Sequence, residues 1–249
     1  MLILNSINSS HGAQQILYSI SCKVAQGEFV IIVGGNGAGK TTLLDTIAGK
    51  IKPTSGTIYL NGHDITAQSE AVRAKLITRI FQNTHLNSVG AMTVWQNLAM
   101  THYAHRAATL ANGMKRMSYD QAHEIITSLG FDESVLHKNM SSLSGGQRQL
   151  ISFAMSTQRI PQLLLLDEPT AALDPHAATR LLVHAKEFIK YHKVTTIMIT
   201  HDPHIALSMA DTIWVLENGQ ITKQFNKKDI KDLKPEQLIG HIDYTQLKS

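Results

Sequence analysis

Eight consecutive residues, Gly34-Gly35-Asn36-Gly37-Ala38-Gly39-Lys40-Thr41, fit the spacing G-x-x-x-x-G-K-[ST]. Glycines let a backbone curl until several N–H groups face one point, and a helix starting there adds the positive end of its dipole. Such a nest suits phosphate oxygens. Gly35, Asn36, Gly37, Ala38 and Gly39 would form the cradle, with Thr42 beside it. Lys40 would reach the β- and γ-phosphates of a nucleotide, and the Thr41 hydroxyl would ligate Mg²⁺. A second feature, Leu163-Leu164-Leu165-Leu166-Asp167-Glu168, is an apolar run ending in two carboxylates. In an open parallel sheet ligands gather at the carboxyl ends of strands, which puts this pair beside the glycine loop. There Asp167 would hold Mg²⁺ through water and Glu168 would polarise an attacking water. Two solvated acids at a strand end are the plain alternative. A third feature, Leu143-Ser144-Gly145-Gly146-Gln147, reads first as structure, because Ser144 with Gln147 three residues on is a capping box. Small residues at an exposed, capped helix N-terminus also make an anion site, here for a phosphate presented by another molecule.

These groups need a scaffold, and the pattern of apolar runs supplies one. Short runs rich in β-branched residues alternate with longer amphipathic stretches, the signature of an α/β protein. Phe29 to Val33, Thr57 to Leu60, Ile77 to Phe81, Leu163 to Leu166 and Thr195 to Ile199 read as strands. Thr41 to Ala48 reads as a helix stopped by Gly49, and Thr212 to Thr222 as a hairpin turning at Asn218-Gly219. From about residue 84 to 158 helical patterns replace the strands, including Gln121 to Leu129 and Gln147 to Ser156, which suggests a helical subdomain inserted in the α/β core. After residue 222, Pro235 marks a helix start, and Leu238, Ile239 and Ile242 are spaced to form one apolar face of a packed final helix.

The composition of the 249 residues, 43% hydrophobic and 17% charged, is that of a globular chain with a sizeable core and not of a disordered one. Its net charge of +4 is unevenly placed. Between residues 73 and 118 stand Arg73, Lys75, Arg79, Arg106, Lys115 and Arg116 with no acid among them. Charge alone does not identify a partner for that stretch. The single Cys22 excludes an internal disulfide and fits a small buried group in a reducing compartment. The N-terminus lacks the basic and apolar regions of a secretory signal, and no stretch approaches the ~18–20 apolar residues of a membrane span. A cytoplasmic location is therefore expected, with membrane attachment supplied by a partner.

In order along the chain come the P-loop, Phe81-Gln82, Leu143 to Gln147, the strand into Asp167-Glu168-Pro169-Thr170, Ala171-Ala172-Leu173-Asp174, and Thr200-His201-Asp202. These six motifs resemble those of the ATP-binding subunits of ABC transporters, and the resemblance covers residues 1 to about 222. It implies a P-loop NTPase core of ABC ATPase type with the helical subdomain inserted. It further implies ATP and Mg²⁺ as ligands, and a head-to-tail pair of subunits, either two copies of this chain or this chain with a paralogue. Each ATP would lie between the P-loop of one subunit and the Ser144 to Gln147 segment of the other. By the same resemblance Glu168 is the general base, His201 contacts the γ-phosphate, Gln82 senses Mg²⁺ and the helical subdomain, and Asp174 couples the two sites. His11 stands where the family stacks an aromatic ring on adenine, with Tyr18 as its nearby competitor. The implied partners are a transmembrane permease and, for an importer, a solute-binding protein; the basic stretch 73–118 would then form a surface for a permease loop or anionic lipid headgroups and not for nucleic acid. Local wording is most similar to tryptophan- or tyrosine-type uptake ATPases related to branched-chain amino-acid importers. A chromosome ATPase is disfavoured because Lys40 and Ser144 are only 104 positions apart, too close to hold a long coiled coil. The main rival is an ABC ATPase that serves an assembly scaffold, such as one for iron–sulfur clusters.

Overall fold

A computed structural model describes residues 1–81, 88–103, 119–171 and 173–240. The chain opens with the antiparallel pair β1 (Leu2–His11) and β2 (Gln14–Val24), which joins β4 and β5 below in a four-stranded sheet. Neither strand was legible in the sequence. Their pairing carries several register shifts, and irregular pairing breaks the period-two alternation on which strand recognition depends. Next come β3 (Phe29–Val33), α1 (Lys40–Ala48), β4 (Ser55–Leu60), β5 (His63–Asp64), a short α2 (Glu70–Arg73) and β6 (Ile77–Ile80). Helices α3 (Val94–Tyr103), α4 (Tyr119–Ser128) and α5 (Gly145–Thr157) follow, then β7 (Leu163–Asp167), α6 (Pro175–His192) and β8 (Thr195–Ile199). The chain ends in α7 (Pro203–Met209), β9 (Thr212–Glu217), β10 (Gln220–Asn226), α8 (Lys227–Asp232) and α9 (Pro235–Ile239).

Two compact units share these elements. The first comprises residues 1–79, 162–168 and 189–249. Its larger sheet runs β10-β9-β3-β8-β7-β6, with β9, β3, β8 and β7 parallel and β10 antiparallel at the edge. All five residues of β3, β7 and β8 are buried, as expected of parallel strands covered on both faces. The core joins Leu2, Leu4 and Ile58 of the smaller sheet to Val30, Leu165 and Ile197 of the larger one, with Leu43, Leu44 and Ile47 of α1. Each such side chain contributes roughly 1.5–3 kcal/mol by leaving water. Both Asn-Gly pairs make tight turns: Asn61 and Gly62 have φ 49° and 82°, Asn218 and Gly219 47° and 74°. Two positive φ values in succession match the twist of the flanking strands.

The second unit comprises residues 80–161 and 169–188. The sequence suggested one insertion from about 84 to 158. That stretch lies within the first segment of this unit, whose second segment takes in α6 as far as Phe188. Val94 and Leu98 of α3, Ala122 and Ile126 of α4, and Leu150, Ile151 and Phe153 of α5 are buried in it. Asn97, fully buried, ties the loop before α3 to the helix by accepting from Val89 N at 2.8 Å and donating to Thr93 O at 2.9 Å.

Two sequence expectations need correction. Arg73 and Arg79 were counted in a basic surface, yet Arg73 is buried and donates to the carbonyls of Thr46, Ile47, Thr66 and Gln68. A guanidinium carries five donors in a rigid fork, so it can satisfy the open carbonyls at the end of α1 where no solvent reaches. Arg79 is likewise spent internally, as described below. Lys75 is exposed, while Arg106, Lys115 and Arg116 lie outside the described residues. In the tail, Leu238 of α9 is buried but Ile239 is exposed, so the helix presents one anchoring residue and not a full apolar face; Ile242 lies outside the described residues. No helix among the described residues is long and apolar enough to cross a membrane.

Cys22 packs against the core, and burial pushes its thiol up to about 12. A raised value keeps the group protonated at every lower pH. Its alkylation by iodoacetamide at pH 8 is therefore expected to run ~10²–10³-fold slower than that of a free thiol. Mass gain over time measures this, and labelling at the free-thiol rate would contradict it.

Candidate nucleotide site

Strand β3 delivers the chain into Gly34 to Gly39, and α1 begins at Lys40. Gly34 has φ 155°, and a Cβ on it would stand 2.1 Å from the Leu216 carbonyl oxygen. Only glycine allows β9 to pass so close beneath the loop. Gly37 and Gly39, at φ 76° and 99°, turn the backbone through the left-handed region. The loop is braced by the β9–β10 turn: Gly219 N donates to Ala38 O at 3.0 Å, and Gly219 O accepts from Tyr18 N at 2.9 Å. Asn36 and Gly37 are exposed, and Ala38 is buried.

Lys40 folds back across its own loop, Nζ donating to Gly34 O and Gly35 O, each at 2.8 Å. Burial draws its ammonium below the usual range, while the charges of Glu168 and then Asp167 oppose that shift. Thr41 Oγ1 lies 3.5 Å from Asp167 Oδ1, and Thr42 is half-buried on the next position of α1. Glu168 follows β7 directly with φ 47°. A non-glycine residue in that region costs about 1–3 kcal/mol and is concentrated at functional sites. Its Oε1 is 2.5 Å from His201 Nε2. His201 sits between β8 and α7, whose first turn is capped by Asp202 accepting from His204 N at 2.8 Å. The first unit thus gathers loop, lysine, threonine, two carboxylates and histidine.

His11 is exposed at the end of β1, paired with Gln14 across the turn to β2. Its competitor Tyr18 is also exposed, with its hydroxyl donating to Gln15 O at 3.1 Å. Gln82 lies outside the described residues.

The second unit holds the other predicted group. The capping box is present: Ser144 Oγ accepts from Gln147 N at 3.3 Å, and Ser144 N donates to Gln147 Oε1 at 3.1 Å. Ser144 and Gly145 are exposed at this helix N-terminus. A Cβ on Gly146 would meet the Ala177 Cβ at 2.5 Å, so the glycine is what lets α5 and α6 touch. Ser144, Gly146, Gln147, Asp174 and Arg180 line a cleft of about 160 Å³. Asp174 also has a local task, its Oδ1 accepting from His176 N and Ala177 N at the start of α6. The Asp-Pro step at 174–175 is a helix-start signal that went unread.

Sequence reasoning also missed Arg79 and Asp45. Arg79 Nη2 donates to Asp167 Oδ2 at 2.8 Å, and its Nη1 bonds Asp45 Oδ1 on α1. Pairing across a sheet leaves no mark in local spacing. The acid-free run containing Arg79 pointed outward to a partner surface, away from where the side chain goes.

Comparison with known proteins gives a consistent result. The family profile described as ABC transporter matches residues 17–171. The tyrosine transport ATP-binding protein of Clostridioides difficile is 33% identical over 230 residues, covering 92% of this chain and 91% of the relative. The spermidine/putrescine import ATP-binding protein PotA of Fusobacterium nucleatum is 36% identical over 220 residues, covering 87% of this chain. The chain spans only 54% of that relative's length. Among solved structures, the ATP-binding cassette MJ0796, captured as a post-hydrolysis dimer with ADP and Pi, superposes with TM-score 0.77 at 25% identity. That match covers 91% of this chain and 99% of the other.

Proposed function

Because the chain belongs to the ABC transporter ATP-binding family, whose members bind and hydrolyse ATP, we propose that it powers uptake of a small solute, an amino acid in particular, through a separate membrane permease. It is an import-type ATPase subunit by its relatives, and the scaffold-assembly alternative is not favoured. Similarity to a tyrosine transport protein over nearly that protein's full length supports an amino acid as the solute. The permease would hold the chain at the cytoplasmic face of the membrane, and a solute-binding protein would deliver the cargo.

The observation that most supports this reading is the convergence of Lys40, Thr41, Asp167, Glu168 and His201 around one loop. In the mechanism, the loop N–H groups from Gly35 to Gly39 and the N-terminus of α1 bind the phosphates. Lys40 exchanges its carbonyl acceptors for phosphate oxygens. Thr41 Oγ1 and Asp167 Oδ1, both hard oxygen donors, fit a small divalent cation such as Mg²⁺. That ion would offset phosphate charge when bound. Glu168 accepts the proton of the attacking water, and His201 holds the γ-phosphate while its contact with Glu168 keeps the base oriented. His11 stacks on adenine, Gln82 senses Mg²⁺, and Ser144 to Gln147 with Asp174 serve the ATP of a second subunit. Wall residue Arg180 adds a cation beside that cleft, as an anionic ligand requires.

The test is to purify the chain from detergent-solubilised native membranes and identify its companions by mass spectrometry. A multi-span permease is expected to come with it. Recovery of soluble scaffold proteins alone would reverse the assignment.

A further inference from the structure

We propose that Arg79 is a positioning residue for Asp167, fixing the carboxylate's orientation from the adjacent strand while Asp45 anchors the guanidinium from the other side. This rests on the reading of Asp167 as a cation-binding residue. Three elements meet in the arrangement: Arg79 on β6, Asp167 at the end of β7 and Asp45 on α1, the helix that continues the P-loop. The Arg79 side chain is 7% exposed and each carboxylate 11%. Water therefore does little to weaken these bonds, and a guanidinium's planar fork can address two carboxylates in fixed directions at once.

The two oxygens of Asp167 have separate tasks. Oδ2 accepts from Arg79 at 2.8 Å, while Oδ1 faces the Thr41 hydroxyl. With Oδ2 held, the carboxylate cannot rotate without breaking a charge-assisted bond, so Oδ1 stays aimed at the site. The charges also fit. One guanidinium between two carboxylates leaves one negative charge in surplus before the nearby Lys40 ammonium is counted. Lys50, at 3.6 Å from Asp45 but half in solvent, offsets little of it. Arg79 is moreover the last residue of the first unit before the chain crosses into the second at Ile80.

Positioning and charge predict opposite signs, which makes the proposal testable. Removing a buried cation near a metal site would by itself tighten cation binding; losing the orientation weakens it. Arg79→Met combined with Asp45→Asn removes one charge of each sign, so the net charge of the group is unchanged and Asp45 is not left as a buried acid without its partner, while Asp167 keeps its charge near the Lys40 ammonium. The probe is Mn²⁺ binding to the full chain at saturating ADP, followed by electron paramagnetic resonance, with ADP affinity in EDTA as the control. The double variant is expected to bind Mn²⁺ ~10–100-fold more weakly, the usual cost of losing a partner that orients a ligand. ADP affinity in EDTA should change by less than about twofold, because the phosphate cradle is untouched. Arg79→Lys, which keeps the charge but not the fork, should weaken Mn²⁺ by at least about threefold and decides the matter if the double variant fails to fold. Mn²⁺ binding as tight as wild type or tighter, in either folded variant, overturns the positioning role. A wild-type chain with no ADP-dependent Mn²⁺ binding overturns instead the cation-site reading beneath it.

Discussion

With Glu168 replaced by glutamine, the chain is expected to bind ATP normally and hydrolyse it ~10²–10⁴-fold more slowly, the usual worth of a positioned general base. Glutamine keeps the length and shape of the side chain and can still meet His201 Nε2, which stands 2.5 Å from Glu168 Oε1 in the native chain. What it loses is the capacity to take a proton. The backbone at 168 is already in the left-handed region at φ 47°, and glutamine suffers that geometry no more than glutamate does, so folding should be unaffected. Single-turnover hydrolysis measures the chemical step, and gel filtration with ATP measures association. Because ATP persists, a two-subunit species should accumulate in the variant and be transient in wild type. Wild-type turnover in Glu168→Gln would remove Glu168 from the role of base.

The second large effect concerns a glycine. In Gly34→Ala the new methyl would sit 2.1 Å from Leu216 O, about an ångström inside any tolerated contact, and at φ 155°. Either the loop or β9 must move, and both are fixed by buried ladders. A stability loss of at least ~2–4 kcal/mol is expected, together with loss of most nucleotide affinity. Gly37→Ala is the matched control: φ is also positive, at 76°, but nothing lies within 4 Å of the added atom. It should cost only the left-handed penalty of about 1–2 kcal/mol. Urea midpoints and nucleotide titrations of the two variants decide it, and equal losses would refute the close-packing argument.

How much of this was legible in the residues depends on whether the signal is local. The P-loop, the strand into Asp167-Glu168 and the box of Ser144 and Gln147 are each written in a few consecutive positions, and the matching elements are where the spacing put them. The Asn218-Gly219 turn was equally plain, because Asn followed by Gly accepts two positive φ values with little strain. Side chains that reach across the fold were not. Arg73 and Arg79 looked alike as members of a basic run, yet one caps a helix 26 residues away and the other joins acids from α1 and β7. Charge counting finds where cations are in the chain and is silent about which way a buried guanidinium turns. The β1–β2 pair escaped for a related reason, since its bulges erase the alternation that pairing would otherwise impose.

The order of pairing has a consequence for how the protein is made. Strand β3, which carries the phosphate loop, is flanked by β8 and β9, and the loop itself is braced from Gly219. All three supports lie beyond α6, far along the sequence from the loop they hold. A ribosome that has released the chain only as far as α6 has therefore extruded the whole glycine motif without the two strands that flank β3. The phosphate loop is thus shaped by partners distant in sequence, so its folding waits on long-range pairing and not on the local glycine motif.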